Sequence, residues 1–174
     1  MTITDVKAQI RDVYDFPKKG IVFKDLTTVF NDAESLQFVS DELYERYKDK
    51  GITKIVGIES RGFIFGAILA NRLGVGFVPI RKKGKLPAKT IEETYAMEYG
   101  FNTIELHEDA LTPDDVVLIH DDLLATGGTA VSAVKLVKKM GVTNILVNFI
   151  VELDFLKGRE AFFDDIKIDS LIHF

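Results

Sequence analysis

The chain has no cysteine. That excludes disulfide staples and thiolate catalysis, and it suits a reducing compartment. Nowhere does an apolar run approach the roughly 18 residues that a membrane span requires, and no basic start is followed by an apolar core. Neither a membrane anchor nor a secretory signal is expected, and the cytoplasm is the default location. Basic charge is also in deficit: 22 Lys and Arg stand against 27 Asp and Glu, a formal net charge of −5. Such a balance argues against a nucleic-acid partner, because that binding rests on basic patches. There are only three histidines, His107, His120 and His173, without the spacing of a metal site. No Gly-Lys-Ser/Thr loop occurs. Gly74-Val75-Gly76 is a fragment of a dinucleotide fingerprint that lacks its third Gly and follows a helical stretch.

What is present is the composition of an ordinary globular protein, 47% hydrophobic and 28% charged over 174 residues. A chain of that size suits one domain burying roughly 70% of its unfolded surface. No internal repeat, linker or low-complexity segment interrupts it.

The most informative stretch begins Val116-Val117-Leu118-Ile119, a β-branched apolar run suited to a strand buried on both faces. His120 and the carboxylates Asp121 and Asp122 follow, then Leu123, Leu124 and the small-residue turn Ala125-Thr126-Gly127-Gly128-Thr129. A helical pattern runs over residues 130–140. A strand, a Gly- and Thr-rich turn and a helix start together make a phosphate cradle: glycines let the backbone approach, and amide N–H groups and the helix dipole favour the anion. The carboxylates just before it call for hydroxyls or a metal, so a sugar phosphate fits.

The rest of the chain alternates strands and helices. Ile3, Val6, Ile10 and Val13 predict a helix over residues 3–14, ended by Asp15-Phe16-Pro17. Asn31 with Glu34 three residues on predicts a helix start, and Leu36, Val39, Leu43, Tyr44 and Tyr47 share one face of that helix up to Gly51. Strands are expected over residues 54–58, 75–80, 144–151 and 166–172, with a helix over 63–73 closed by Gly74. Residues 81–100 show no helical period and carry Arg81, Lys82, Lys83, Lys85 and Lys89. Such a segment is more often functional or mobile than structural. Within residues 94–106 a hairpin is expected, turning at Gly100-Phe101-Asn102. The alternation implies an α/β fold with a parallel sheet flanked by helices. The polar turns Glu59-Ser60-Arg61-Gly62, Arg81–Lys85 and Asp121–Thr129 should then converge at the carboxyl ends of the strands, where open sheets bind ligands.

These stretches resemble a known family. Asp121-Asp122-Leu123-Leu124-Ala125-Thr126-Gly127-Gly128-Thr129 looks like the phosphoribosyl-pyrophosphate motif of the type I phosphoribosyltransferases. Residues 16–25, Ser60-Arg61-Gly62-Phe63, Arg81-Lys82-Lys83-Gly84-Lys85-Leu86-Pro87, Tyr95-Ala96-Met97-Glu98-Tyr99-Gly100, and Leu153 with Leu156-Lys157-Gly158-Arg159-Glu160 are similar to its adenine-using members. The resemblance covers essentially the whole chain, in order. It implies the type I phosphoribosyltransferase fold, with a small hood over about residues 1–30 that binds the base, and a flexible loop and hairpin over about residues 81–106. It also implies a purine-salvage reaction: adenine and 5-phosphoribosyl-1-pyrophosphate give AMP and pyrophosphate, with Mg²⁺ carried on the substrate and no dedicated side-chain cage. A homodimer is implied too.

By the same resemblance, Glu98 is the catalytic acid–base group facing the purine N7. Ala125, Thr126, Gly127, Gly128 and Thr129 hold the 5′-phosphate, and Asp121 and Asp122 bond the ribose hydroxyls. Ser60, Arg61, Arg81, Lys82 and Lys85 take the pyrophosphate, Val22, Phe23, Lys24 and Leu123 surround the adenine, and Tyr99 covers the closed site. A cis peptide is implied between Glu59 and Ser60. Two residues depart from the family pattern. Lys24 stands where many members carry Arg, whose planar fork Lys lacks. His120 replaces a Val or Ile, and a partly buried, hydrogen-bonded imidazole is expected there. Without the resemblance the residues say less: the Gly-Gly turn also reads as helix-start chemistry, residues 82–89 as solvated surface, Glu98 as a strand-edge carboxylate, and Arg61 as a local pairing partner. A transferase for another purine base, or a regulator that senses phosphoribosyl-pyrophosphate, are the alternatives.

Overall fold

A computed structural model describes every residue except Pro17, Glu98 and Tyr99. The chain forms two compact units, Met1–Arg46 and Tyr47–Phe174.

In the first unit, α1 (Ile3–Gln9) opens with a capping box in which Thr2 and Asp5 satisfy each other's backbone N–H. The helix is shorter than its apolar spacing suggests. Ile10 is extended, and Arg11–Tyr14 forms β1, antiparallel to β2 (Val22–Asp25). Cross-strand ion pairs account for the switch: Arg11 lies 2.7 Å from Asp25 and Lys24 2.5 Å from Asp12. A short helix α2 (Thr27–Asn31) precedes α3 (Ala33–Tyr47). The residue that starts α3 is Asp32 rather than Asn31, for its carboxylate accepts the Ser35 N–H at 2.8 Å.

The second unit is built on a seven-stranded sheet. Its strands are β3 (Lys54–Ile58), β4 (Gly76–Lys82), β5 (Thr90–Ala96), β6 (Phe101–His107), β7 (Val116–Leu124), β8 (Asn144–Glu152) and β9 (Lys167–His173), in the order β5-β6-β4-β3-β7-β8-β9. From β4 to β9 neighbouring strands are parallel, and the β5–β6 hairpin adds antiparallel at the β4 edge. Helix α4 (Gly62–Leu73) packs on β3 and β7, and α5 (Gly128–Lys139) on the other face. Strand β7 shows the two faces. Val117 and Ile119 join a core with Ala133, Val134 and Val137 of α5, whereas a Cβ on Gly66 of α4 would stand 3.7 Å from His120 Cδ2. Strands covered on both sides read as unbroken apolar runs, which is why β3, β7 and β8 are plain in the sequence. Gly74 closes α4 in the left-handed conformation, φ 69°.

Two strands run longer than their sequence pattern suggests. Arg81 and Lys82 continue β4, and the hairpin starts at Thr90 rather than residue 94. Its signal is a two-residue alternation in which Ile91, Glu93 and Tyr95 are half-buried and Glu92 and Thr94 exposed. Among the described residues no helix is long and apolar enough to cross a membrane.

Candidate active site at the carboxyl edge of the sheet

Strand β7 continues through both carboxylates to Leu124, paired with β8 as far as Glu152. The chain then turns through Ala125, Thr126 and Gly127 into α5. Gly127 has φ +87°, and a Cβ there would meet the Gly158 carbonyl oxygen at 2.7 Å. A Cβ on Gly158 would in turn run into the Ala125 carbonyl. The turn can therefore lie this close to the segment behind it only because both positions are glycine. No side chain caps the start of α5, so its first N–H groups and dipole remain open to an anion. Residues 125–129 line a cavity of about 420 Å³ together with Asp121, Leu123 and Tyr95. The Thr129 hydroxyl lies 2.8 Å from the Tyr95 phenol.

A second cavity, of about 290 Å³, adjoins the first through Asp121 and Leu123 and is lined also by Glu59, Ser60, Arg61, Lys82 and Asp122. The Glu59–Ser60 peptide is cis. Gly62 brings the start of α4 under the carboxylates, for a Cβ there would stand 2.7 Å from the His120 carbonyl oxygen and 3.0 Å from Asp121 Oδ1. Asp122 is buried and paired with Arg61, Nε to Oδ2 2.5 Å. Asp121 Oδ1 accepts the Asp122 N–H at 2.9 Å. Burial pushes the carboxyl of Asp121 well above the usual carboxylate range, and the adjacent charge of Asp122 adds to this. Burial also raises Asp122, while Arg61 pulls it back. Two crowded carboxyls that resist ionisation suit partners bringing hydroxyl donors or positive charge.

The cations divide. Lys82 lines the second cavity, but its neighbour Arg81 pairs with Glu59 at 3.2 Å and donates to the Lys85 carbonyl. Glu59 also accepts the Lys82 N–H at 2.9 Å. Burial works against its charge, yet the bonds from Lys82 and Arg81 hold its carboxyl below the usual range. Lys85 reaches neither cavity; its N–H, with that of Leu86, donates to Glu105 at 3.0 and 2.8 Å. Of the residues expected around the base, Leu123 lines both cavities. Val22, Phe23 and Lys24 lie on β2 of the first unit, where Lys24 pairs with Asp12 and Phe23 meets Phe16 edge-on at 5.3 Å. Glu98 and Tyr99 lie outside the described residues.

His120 is wholly rather than partly buried. Its Nδ1 lies 2.9 Å from Asn148 Oδ1, and its Nε2 has no hydrogen-bond partner among the described residues. Burial lowers its pKa to about 4, so the ring is neutral and lines neither cavity. Among the described residues one group has metal-ligand geometry: Glu152, Asp154 and His173. Its Glu152 oxygens already bond Arg159 and Ser170, both at 2.6 Å. Sequence reasoning gave no role to Glu59, Tyr95, Glu105 or Gly158. All four stand inside stretches it singled out, Glu105 only as part of the expected hairpin, and the alternation of β5 points Tyr95 inward.

The chain matches the model of the phosphoribosyl transferase domain family over residues 27–170. It is 58% identical over 172 residues to an adenine phosphoribosyltransferase of Phocaeicola vulgatus, covering 99% of each chain. It superposes with a TM-score of 0.95 on an adenine phosphoribosyltransferase crystal structure from Thermoanaerobacter pseudethanolicus, at 47% identity over 99% of this chain and 100% of that one. The Giardia lamblia enzyme complexed with 9-deazaadenine gives 0.93 at 47% identity, over 100% of this chain and 98% of that one.

Proposed function

The chain belongs to the phosphoribosyl transferase family and, within it, to the adenine phosphoribosyltransferases, and from that premise we propose how its residues work. The reaction joins adenine N9 to C1′ of 5-phosphoribosyl-1-pyrophosphate. The C1′–oxygen bond breaks with its electron pair going to pyrophosphate, and the transition state has cationic sugar character. Catalysis thus needs a held sugar, a stabilised leaving group and a partner for the proton the base gives up.

The observation that supports the assignment of roles most strongly is the uncapped start of α5 at Gly128, six residues after Asp122. Residues 125–129 take the 5′-phosphate, and the two carboxylates accept the 2′- and 3′-hydroxyls one residue-pair upstream. With the sugar held so, pyrophosphate would depart into the second cavity, lined by Ser60, Arg61 and Lys82, with Arg81 at the end of β4 and Lys85 in the turn after it supporting. Glu98 shares a proton with purine N7 as N9 attacks. Val22 backbone groups read the 6-amino edge, Phe23 and Leu123 flank the ring, Lys24 stands near it, and Tyr99 covers the closed site.

Asp121, which lines both cavities, offers carboxyl oxygen to an ion that arrives on the substrate. Mg²⁺ bound with phosphoribosyl-pyrophosphate would supply positive charge to the pyrophosphate oxygens. By family resemblance we take the working form to be a cytoplasmic homodimer.

A base panel tests the reading. With Mg²⁺ and phosphoribosyl-pyrophosphate, and one of adenine, hypoxanthine, guanine, xanthine or orotate, nucleotide should form from adenine with a preference of up to roughly 10⁴-fold, because mismatched edges leave polar groups unpaired. No AMP would end it. Binding of phosphoribosyl-pyrophosphate without product from any base would point to a sensor.

A further inference from the structure

Tyr95 has no part in the roles above, yet it is the side chain that joins the β5–β6 hairpin to the phosphate cradle. Its ring packs against the core beside α5, and a Cβ on Gly128, the first residue of that helix, would lie 3.8 Å from its Cδ2. The phenol then reaches past the helix start to the Thr129 hydroxyl at 2.8 Å. Both residues line the 420 Å³ cavity. At the far end of α5, Lys139 Nζ binds the Glu93 carboxylate at 2.6 Å and the Glu92 carbonyl at 2.7 Å. The helix and strand β5 are thus strapped together at both ends, which leaves the phenol little freedom to move away.

The direction of the Tyr95–Thr129 bond follows from what the cradle is built to hold. A threonine hydroxyl has one proton to give and two positions at which to accept, and a phenol likewise has one proton. A phosphate dianion only accepts. With phosphate present, Thr129 must turn its proton to the anion, and its oxygen is then free to accept from Tyr95. The chain phenol to hydroxyl to phosphate polarises along its length, each bond strengthening the next. We propose that Tyr95 is a positioning residue of the phosphate cradle, holding the Thr129 hydroxyl so that its proton points at the 5′-phosphate. This rests on the assignment of residues 125–129 to that phosphate.

The test compares AMP with adenosine, which lacks the phosphate, by calorimetric binding to the full-length wild type, Tyr95→Phe, Thr129→Val and the double variant. Tyr95→Phe keeps the ring and its packing and removes only the oxygen. AMP affinity should fall about fivefold in Tyr95→Phe, as for one hydrogen bond, and at least about tenfold in Thr129→Val, which loses a bond to a charged group. Adenosine affinity should stay unchanged in both. Because Tyr95 acts through Thr129, the double variant should bind AMP no more weakly than Thr129→Val alone. Equal losses for AMP and adenosine, independent additive losses in the double variant, or wild-type AMP affinity in Tyr95→Phe would each overturn the role of Tyr95. Wild-type AMP affinity in Thr129→Val would instead overturn the cradle assignment beneath it.

Discussion

Arg61 and Asp122, 61 positions apart in sequence, meet with Nε 2.5 Å from Oδ2. The carboxylate is 3% exposed and the guanidinium 38%. The pair ties the turn after β3 to the end of β7, and so ties the proposed pyrophosphate site to the proposed ribose site.

Removing the guanidinium leaves a buried carboxyl without its partner. Arg61→Ala should lower unfolding free energy by about 1–2 kcal/mol at pH 7, less than for a fully buried pair because water reaches the arginine. Arg61 is what holds the raised pKa of Asp122 down. In the variant Asp122 therefore takes up a proton more readily, and the deficit should shrink as pH falls from neutrality, as a denaturation series would read. Phosphoribosyl-pyrophosphate binding should weaken far more than AMP binding; equal losses would remove Arg61 from the pyrophosphate site.

Glu98→Ala should lower turnover at least about tenfold, losses of about 10²–10⁴ being typical where positioned proton transfer is removed, with phosphoribosyl-pyrophosphate affinity nearly intact. Steady-state kinetics paired with a binding isotherm separates the two. Normal turnover in the variant would dismiss the assignment.

Glu105, 3% exposed on β6, anchors the turn after β4. Burial opposes its charge, but the N–H groups of Leu86, Gly84 and Lys85 and the Thr90 hydroxyl hold its carboxyl below the ordinary 4.5. A depressed carboxylate pKa stabilises the fold above the unfolded value and loses that contribution as pH falls through the folded one. Glu105→Gln should thus cost about 1–3 kcal/mol near neutrality, and the difference from wild type should fade as pH falls from 4.5 through the lower folded value and Glu105 is protonated. Hydrogen exchange gives the local reading: the Lys85 and Leu86 amides should exchange faster in the variant. Unchanged protection there would show that the turn is held by something else.

For His120 the sign reverses the usual histidine case. Its folded pKa of about 4 lies below the ordinary 6.5, so the unfolded chain takes up the proton first as pH falls. His120 therefore withdraws stability between pH 6.5 and 4, by on the order of 3 kcal/mol at the acid end. His120→Val should flatten that part of the pH–stability curve. At neutral pH it should cost about 1–3 kcal/mol, because Asn148 Oδ1 loses its donor. Turnover should change less than about threefold, a ring outside the cavities having no part in the chemistry. A tenfold loss of turnover would put the imidazole in the site after all.

Much of this was legible along the chain. Strands β3, β7 and β8 and helices α4 and α5 announce themselves through continuous apolar runs, glycine stops and one period per element, and the proposed cradle is local: Asp121 to Thr129 are contiguous. Where reading failed, a distant partner had won. Residues 11–14 continue the apolar spacing of a helix, but charge pairs with Lys24 and Asp25 make them a strand.

By itself, then, the sequence determined the type of fold, the glycine turn after β7 and the family, because these rest on local periodicity, backbone freedom at glycine and motifs in fixed order. Tertiary structure alone decided which groups share a proton or a charge: Arg61 with Asp122, Tyr95 with Thr129, Glu105 with the amides of residues 84–86. Those meetings depend on which strands lie side by side in the order β5-β6-β4-β3-β7-β8-β9. A side chain's period along its own strand says which face it takes, and only the neighbouring strand or helix supplies its partner.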